Sequence, residues 1–344
     1  MASSISPIPL EIPQGAIRLN TDSQKLEFFA QGEWWEMATD VAIPIGGRGI
    51  NAGGITPTAV TDITYISMET EGKSSDFGDL TTALAVGSSA ASRTRGIFFG
   101  GYNQGQPSWS MINTIDYVTM ATQGNALDFG DGITSTIWPA QGIAGNSTRG
   151  IKAGGTTNPA VSNVIQYITI SSTGNAQDFG DLTGGTQVSS GAGINSATRT
   201  VFSGGGPGTA PVTTVYNSIE YITVASTGNG VNFGDLTFAG RHFNGISNAT
   251  RGIVGGGWDA SSGRTDLQVL QTATTGNTND FGDLNVDLTG ASSCGNQIRG
   301  FWFGNGNVIQ TTNIQTLGRT YSWGELDQAS MNQSQAASNA HGGL

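Results

Sequence analysis

Apolar and polar residues alternate along this chain in short runs, and the runs recur. Ile115-Asp-Tyr-Val-Thr-Met120 has the two-residue period of a strand. Related runs are Ile63-Thr-Tyr-Ile66, Ile165-Gln-Tyr-Ile168, Ile219-Glu-Tyr-Ile222, Leu267-Gln-Val-Leu270 and, more weakly, Ile314-Gln-Thr-Leu317. Upstream of each lies a second apolar run led by an arginine, at Arg48, Arg95, Arg149, Arg199, Arg251 and Arg299. Downstream comes a tight turn, Gly124-Asn125 and its counterparts at 174–175, 228–229 and 276–277, where positive φ is cheap. Each unit then closes on a variant of Asp-Phe-Gly-Asp-Leu, with Phe77, Phe129, Phe179, Phe233, Phe281 and Trp323 at the aromatic position.

A fourth run precedes each arginine and is poor in bulk, as in Gly142-Ile-Ala-Gly-Asn-Ser147 and Gly290-Ala-Ser-Ser-Cys-Gly295. Four short strands, repeated at intervals of roughly fifty residues, are the signature of a β-propeller. The expected fold is all-β: a six-bladed propeller over 41–344, with blades at about 48–80, 85–132, 142–182, 191–236, 244–284 and 290–326. Innermost strands converge on an axis, which demands small side chains. Blade one lacks such a strand. The tail from Leu326 to Ala340 aligns with Leu80 to Thr94 and shares its Ala-Ala-Ser, so residues 327–340 are expected to complete blade one and close the ring, removing open edges. Residues 1–40 stand apart as a short β module. No segment has the sustained period of a long helix.

Composition narrows the function. Glycine supplies 53 of 344 residues and charged residues only 11%, which suits turn-rich β structure. The net charge of −11 argues against nucleic acid as a partner. The single cysteine, Cys294, permits no intrachain disulfide and is expected to be a buried thiol. The N-terminus has no basic or apolar signal region, and no run is long and apolar enough for membrane insertion, so the chain is expected to stay in the cytosol where it is made.

Little in the chain suits catalysis. Asp-Phe-Gly here repeats without the company it keeps in a kinase. Gly204-Gly-Gly-Pro-Gly208 is followed by no Lys-Ser/Thr and reads as a connecting loop. His242 and His341 are the only histidines, and no metal-ligand spacing exists, so no cofactor or metal is expected. Each arginine has a matching acid at the end of its unit: Asp79, Asp131, Asp181, Asp235, Asp283 and Glu325. The natural expectation is one partly buried, bidentate Arg–carboxylate pair per blade. Binding is the better prospect. The loops between second and third strands, and those entering each next blade, share one face. That face carries Tyr102, Gln106, Trp109, Trp138, Tyr216, Arg241, His242, Trp258, Asp259 and Arg264, a set that suits flat sugar rings or a protein epitope.

The Gly pair after the second strand and the aromatic near the end of each unit resemble kelch repeats over residues 48–340. The phrasing Tyr-Ile-Thr, Thr-Gly-Asn, Asp-Phe-Gly-Asp-Leu resembles repeat proteins of tailed bacteriophages, particularly cyanophages. Gly15-Ala-Ile-Arg-Leu-Asn-Thr, Lys25-Leu-Glu27 and Gly32-Glu-Trp-Trp-Glu36 are similar to a short β module of phage tail and appendage proteins. The resemblance implies a non-enzymatic virion structural protein, tail or fibre associated and assembled in the host cytoplasm. Its module, with Trp34 and Trp35, would attach to other virion proteins or to further copies of itself in a homo-oligomer. Its propeller would recognise a host surface glycan or protein. A capsid-decorating protein and a tail-associated glycan-processing enzyme are the alternatives.

Overall fold

The computed structural model describes residues 12–20, 25–36, 47–105, 108–140, 143–157, 160–183, 192–207, 214–288, 290–304, 306–327 and 333–344. The chain divides into two compact units, Met1–Pro44 and Ile45–Leu344. The described residues of both are strands, turns and loops, without helix.

The first unit is a three-stranded antiparallel meander, Ile17–Asn20, Lys25–Ala30 and Glu33–Glu36. Gln31 and Gly32 both take positive φ, 53° and 85°, and close the second hairpin between the paired Ala30 and Glu33. Alternation gives the meander two unlike faces. On one, Arg18 donates to Glu27 at 2.7 Å, its guanidinium lies 4.2 Å over Trp34, and Trp34 meets Phe29 edge-on at 5.4 Å. The other carries Ile17, Leu19, Leu26, Phe28 and Trp35, all exposed, placed side by side by the pairs Ile17–Phe28, Leu19–Leu26 and Phe28–Trp35.

The described strands of the second unit form one three-stranded, one seven-stranded and three four-stranded antiparallel sheets. The repeats are legible in them. Repeat two, for example, runs Ser88–Ala91, Arg95–Gly105, Ser108–Thr119, Leu127–Asp131. Burial falls from first strand to fourth. Ser88–Ala91 is buried throughout, whereas the fourth strand buries fully only Phe129. In repeat one the first strand is Gln335–Ser338 of the tail, paired with Arg48–Ala52 from Gln335–Ala52 to Ser338–Gly49, as the shared Ala-Ala-Ser predicts.

First strands of successive repeats touch each other, which explains their small residues. Ala144 N donates to Ser89 O at 3.1 Å, Ser293 Oγ to Gly245 O at 2.8 Å, and Ser89 Oγ to Ala336 O. A larger side chain would have no room where strand backbones bond at this range. The space they leave beside Cys294 is a cavity of about 10 Å³. The Cys294 thiol is buried, and burial pushes its pKa up, as expected of a structural cysteine.

Three devices join each repeat to the next. The Gly-Asn turn bonds to the preceding repeat's Asp-Phe-Gly-Asp strand: Gly124 N to Phe77 O, Ala126 N to Asp79 O, and Asn125 Oδ1 receives Asp79 N. This is what the phrase's glycine serves. Gly78 sits at φ 148°, and a Cβ there would lie 2.5 Å from the carbonyl of Gly124. The same main-chain bonds join repeats two to three, three to four, four to five and five to six, and the asparagine bond recurs at the first three of these. From repeat six they return to repeat one, Gly72 N to Trp323 O and Ser74 N to Glu325 O.

The arginines are the second device, and here the expected carboxylate pairs do not form. Among the described residues none of Arg48, Arg95, Arg149, Arg199, Arg251 and Arg299 bonds Asp79, Asp131, Asp181, Asp235, Asp283 or Glu325. Each donates instead to main-chain carbonyls of the following repeat: Met120 and Ala121, Ile170, Val224, Thr272 and Ala273, Ile314 and Gln315, and Met68. Four of them lie 4.5–5.0 Å over the third-strand tyrosines Tyr65, Tyr117, Tyr167 and Tyr221, and Arg299 lies over Trp323. Register is the reason. Arg48 opposes Ser67 at one end of the third strand and Asp79 opposes Asp62 at the other, about 17 Å away at the rise of a strand.

The third device was not anticipated. A polar residue within the third strand is buried and accepts from the main chain of the preceding linker. Thr81 N donates to Asp116, Ile133 N to Gln166, Thr183 N to Glu220, Thr237 N to Gln268 and Asn285 N to Gln310. Asp116 is fully buried; burial raises its pKa and the two bonds from Thr81 oppose that rise.

Val231–Ser247 runs unbroken from the last strand of repeat four into the first strand of repeat five and so makes the seven-stranded sheet. The neighbouring strands are extended there, so Tyr216 pairs Gly240 and Arg241 pairs Trp258. In repeat six the third strand is Val308–Asn313, not the Ile314 run, which lies in the turn before Tyr321–Glu325.

Candidate functional site

The loops entering each repeat converge at one end of the strands, through residues held in the left-handed region. Val86, Trp138, His242, Gly290 and Gln333 have φ of 59°, 52°, 59°, 72° and 60°. Val86, Gly290 and Gln333 each stand two places before a first strand, Ser88–Ala91, Ser292–Gly295 and Gln335–Ser338, while His242 lies within Val231–Ser247 and Trp138 lies eleven residues before Arg149. Their backbones bond in succession: Trp138 N to Val86 O at 3.1 Å, Val86 N to Gln333 O at 2.8 Å, Gln333 N to Gly290 O at 2.9 Å. Left-handed backbone costs about 1 kcal/mol or more for a residue with a Cβ, most of all for a branched one such as Val86. Four such residues gathered at one end of the strands are a constructed feature.

The non-repeating side chains gather around these positions. Trp138 meets His242 edge-on, with centroids 6.2 Å apart, so the loops entering repeats three and five are in contact. Beside His242, Arg241 lies 4.6 Å over Trp258, its cross-strand partner. Arg264 grips Asp266 through two bonds of 2.9 and 3.2 Å, reaches Asp259 at 3.1 Å and covers Phe238 at 4.8 Å. The Asp259 carboxylate also accepts from Ser261 and Ser262, and these hydrogen bonds hold its pKa well below the usual range.

Charge at the site is balanced: Arg241 and Arg264 are offset by Asp259 and Asp266. Burial and the neighbouring Arg241 charge lower His242 to about 4, so its imidazole is neutral at physiological pH. Two buried N–H donors, Trp138 Nε1 and Arg241 Nε, have no hydrogen-bond partner among the described residues. Such donors are costly to bury unless water or a ligand oxygen meets them. Among the described residues the site therefore offers two ring–guanidinium stacks and hydrogen-bond donors, and its two carboxylates, Asp259 and Asp266, both bind Arg264. Among the described residues no group of three or more His, Cys, Asp or Glu could hold a metal ion.

The structure thus brings together Trp138 with His242, Arg241 with Trp258, and Arg264 with Asp259. It withdraws Tyr102, which is 3% exposed and packs with Val86 and Ile137 beneath Trp138. Tyr102 follows the Gly pair directly and so still belongs to the sheet. Gln106 and the side chain of Trp109 lie outside the described residues, and half-buried Tyr216 pairs Gly240 in the seven-stranded sheet.

At the opposite end of the first strands sits a residue to which the sequence assigned no role. His341 is buried, with Nε2 2.8 Å from Ala91 O and Nδ1 2.8 Å from Asn195 Nδ2. Gly343 N also donates to Nδ1, Gln297 Nε2 to His341 O, and Ser147 N to Gly343 O. The last residues thereby tie together repeats two, three, four and six. The only trace of this in the sequence is the Gly-Gly after His341, which lets the chain lie flat against other backbones.

Comparison with protein-family models and with curated proteins returns no match for this chain.

Proposed function

We propose that the second unit is a six-bladed, kelch-like β-propeller closed by its C-terminal strand. The chain is then a non-enzymatic structural protein of a tailed-phage particle. It attaches through the N-terminal meander and displays its loop face to a host-surface glycan or a protein. The cyclic succession of bonds between repeats supports the propeller. The described first strands pack against one another, with the loop cluster at one end and the His341 tail at the other, and this supports binding rather than hydrolysis. The exposed apolar face of Ile17, Leu19, Leu26, Phe28 and Trp35 supports attachment, because an isolated three-stranded sheet needs that face covered. The phage assignment rests on the phrasing of the repeats and the meander.

The observation that carries the binding reading is the loop cluster, with Arg241 on Trp258 and two unmet N–H donors beside a neutral histidine. Arginine and tryptophan are the residues that dominate recognition surfaces. Glycan-array and host-cell binding of the full chain tests it: Arg241→Ala and Trp138→Ala should abolish binding that the parent shows. A parent that binds no glycan, cell or virion protein removes the reading. Antibody labelling of intact particles separates a tail location from a capsid-decorating one.

A further inference from the structure

Among the described residues, Arg241 is the only partly buried arginine of the second unit with neither a hydrogen bond nor an ion pair. The six repeat arginines donate to carbonyls of the following repeat, and Arg264 holds both Asp259 and Asp266. Arg241 has only the Trp258 ring, 4.6 Å from its guanidinium. Burial lowers its pKa, and no neighbouring carboxylate raises it. Every acidic side chain of residues 45–344 lies among the described residues, so none is left over to neutralise it. A half-buried charge without a counter-ion is costly, and an anion from outside the chain would relieve it.

The guanidinium is open at its far end. Nε is buried, whereas the two terminal nitrogens, equally unbonded, reach the surface. Two parallel N–H bonds from that end fit the two oxygens of a carboxylate, and the Trp258 ring fixes the plane in which they point. Arg241 stands opposite Trp258 within the strand Val231–Ser247, so strand pairing sets its place. Beside it His242 is neutral and half-buried, and its ring nitrogens bond nothing among the described residues. A neutral imidazole carries one donor and one acceptor. The acceptor suits a hydroxyl, which a sugar bears beside its carboxyl group and an aspartate or glutamate side chain does not. Trp138, edge-on to His242, adds an apolar ring at the same place. The net charge of −11 disfavours a doubly charged phosphate ester, so a singly charged group is the better match.

We propose that Arg241 and His242 receive a uronic acid unit of an acidic glycan, its carboxylate on the Arg241 terminal nitrogens and a ring hydroxyl on His242. This rests on the glycan reading of the loop cluster and narrows it to sugars that carry a carboxylate.

The test reads binding of the full chain to an array of uronic acid glycans and to the same glycans with their carboxyl groups reduced to alcohols. The parent should bind the acidic forms about tenfold more tightly or better, the effect of one charge-assisted pair. Arg241→Gln should bind the acidic forms no better than the reduced ones, and Arg241→Lys, which keeps the charge without the paired bonds, should keep only part of the preference. His242→Phe should weaken both forms alike, because the hydroxyl contact survives reduction. Equal binding of acidic and reduced glycans by the parent would overturn the proposal and leave the glycan reading standing. So would a preference that survives in Arg241→Gln, or tighter binding of sulfated glycans or of polyglutamate than of uronates. A parent that binds no glycan would remove both.

Discussion

His341 donates from Nε2 to the carbonyl of Ala91, 2.8 Å away, and accepts at Nδ1 from Gly343 N and the Asn195 amide. That arrangement suits only the neutral ring, since a proton on Nδ1 would face two donors. Burial lowers the folded-state pKa to about 4, against 6.5 for a free histidine. Between those values the unfolded chain binds the proton and the folded chain does not. Stability is therefore whole above pH 6.5 and is lost as pH falls towards 4, by roughly 3 kcal/mol for this residue. His242 acts in the same direction over the same window. The expected result is a Tm that falls steadily from pH 7 to 4, with a shallower fall in His341→Gln. A flat profile in the parent would contradict it.

The tail has two roles that deletions can separate. Removing 341–344 takes away the His341 contacts and leaves the strand Gln335–Ser338. Removing 333–344 also strips the first strand from Arg48–Ala52 and exposes its edge. A modest fall in Tm is expected for the first and a large one, or loss of soluble protein, for the second. Equal falls would show that the strand contributes little beyond the His341 contacts.

Arg149 illustrates what the repeated arginines do. It donates to Val224 O at 2.7 Å and lies 4.7 Å over Tyr167. Arg149→Met should cost about 2 kcal/mol through the lost carbonyl bond and ring contact. Asp181→Asn should cost little, and a double-mutant cycle between Arg149 and Asp181 should show no coupling. Coupling of about 1 kcal/mol or more would restore the ion pair that the sequence suggested.

Lys152 is buried in a position that Phe98, Phe202 and Trp302 occupy in repeats two, four and six. Burial lowers its pKa to about 8, from 10.5 when free. The folded state thus resists the charge, and stability should rise as pH climbs from 8 to 10.5. Lys152→Met removes the charge at nearly constant volume and should stabilise the protein by up to roughly 3 kcal/mol at neutral pH. Urea unfolding of both proteins at pH 7 and 10 measures this; a destabilised variant would mean that the ammonium has a favourable partner.

The repeats, the strand order and even the tail's place beside Arg48–Ala52 were legible, because small-residue runs and alternating runs have distinct physical causes. The arginines' partners were not, since they are main-chain carbonyls, which every residue carries. Ile314-Gln-Thr-Leu317 misled because repeat six has Thr311 in place of the tyrosine and Gly318-Arg319 in place of Gly-Asn. The buried latch could have been seen: Asp116, Gln166, Glu220, Gln268 and Gln310 are polar residues set between apolar ones in the same strand of five repeats. The Trp138–His242 contact could not, because it joins loops about a hundred residues apart that do not repeat.

Hydrogen exchange at the junctions between repeats tests the proposed closed ring most directly. Gly124 and Ala126, Gly174 and Ala176, Gly228 and Gly230, Gly276 and Thr278, and Gly318 and Thr320 donate across the five junctions between neighbours in sequence. Gly72 and Ser74 donate across the junction from repeat six to repeat one. In a closed ring the amides of Gly72 and Ser74 are protected as strongly as the other ten. Rapid exchange at Gly72 and Ser74, with protection elsewhere, would mean that the ring is open.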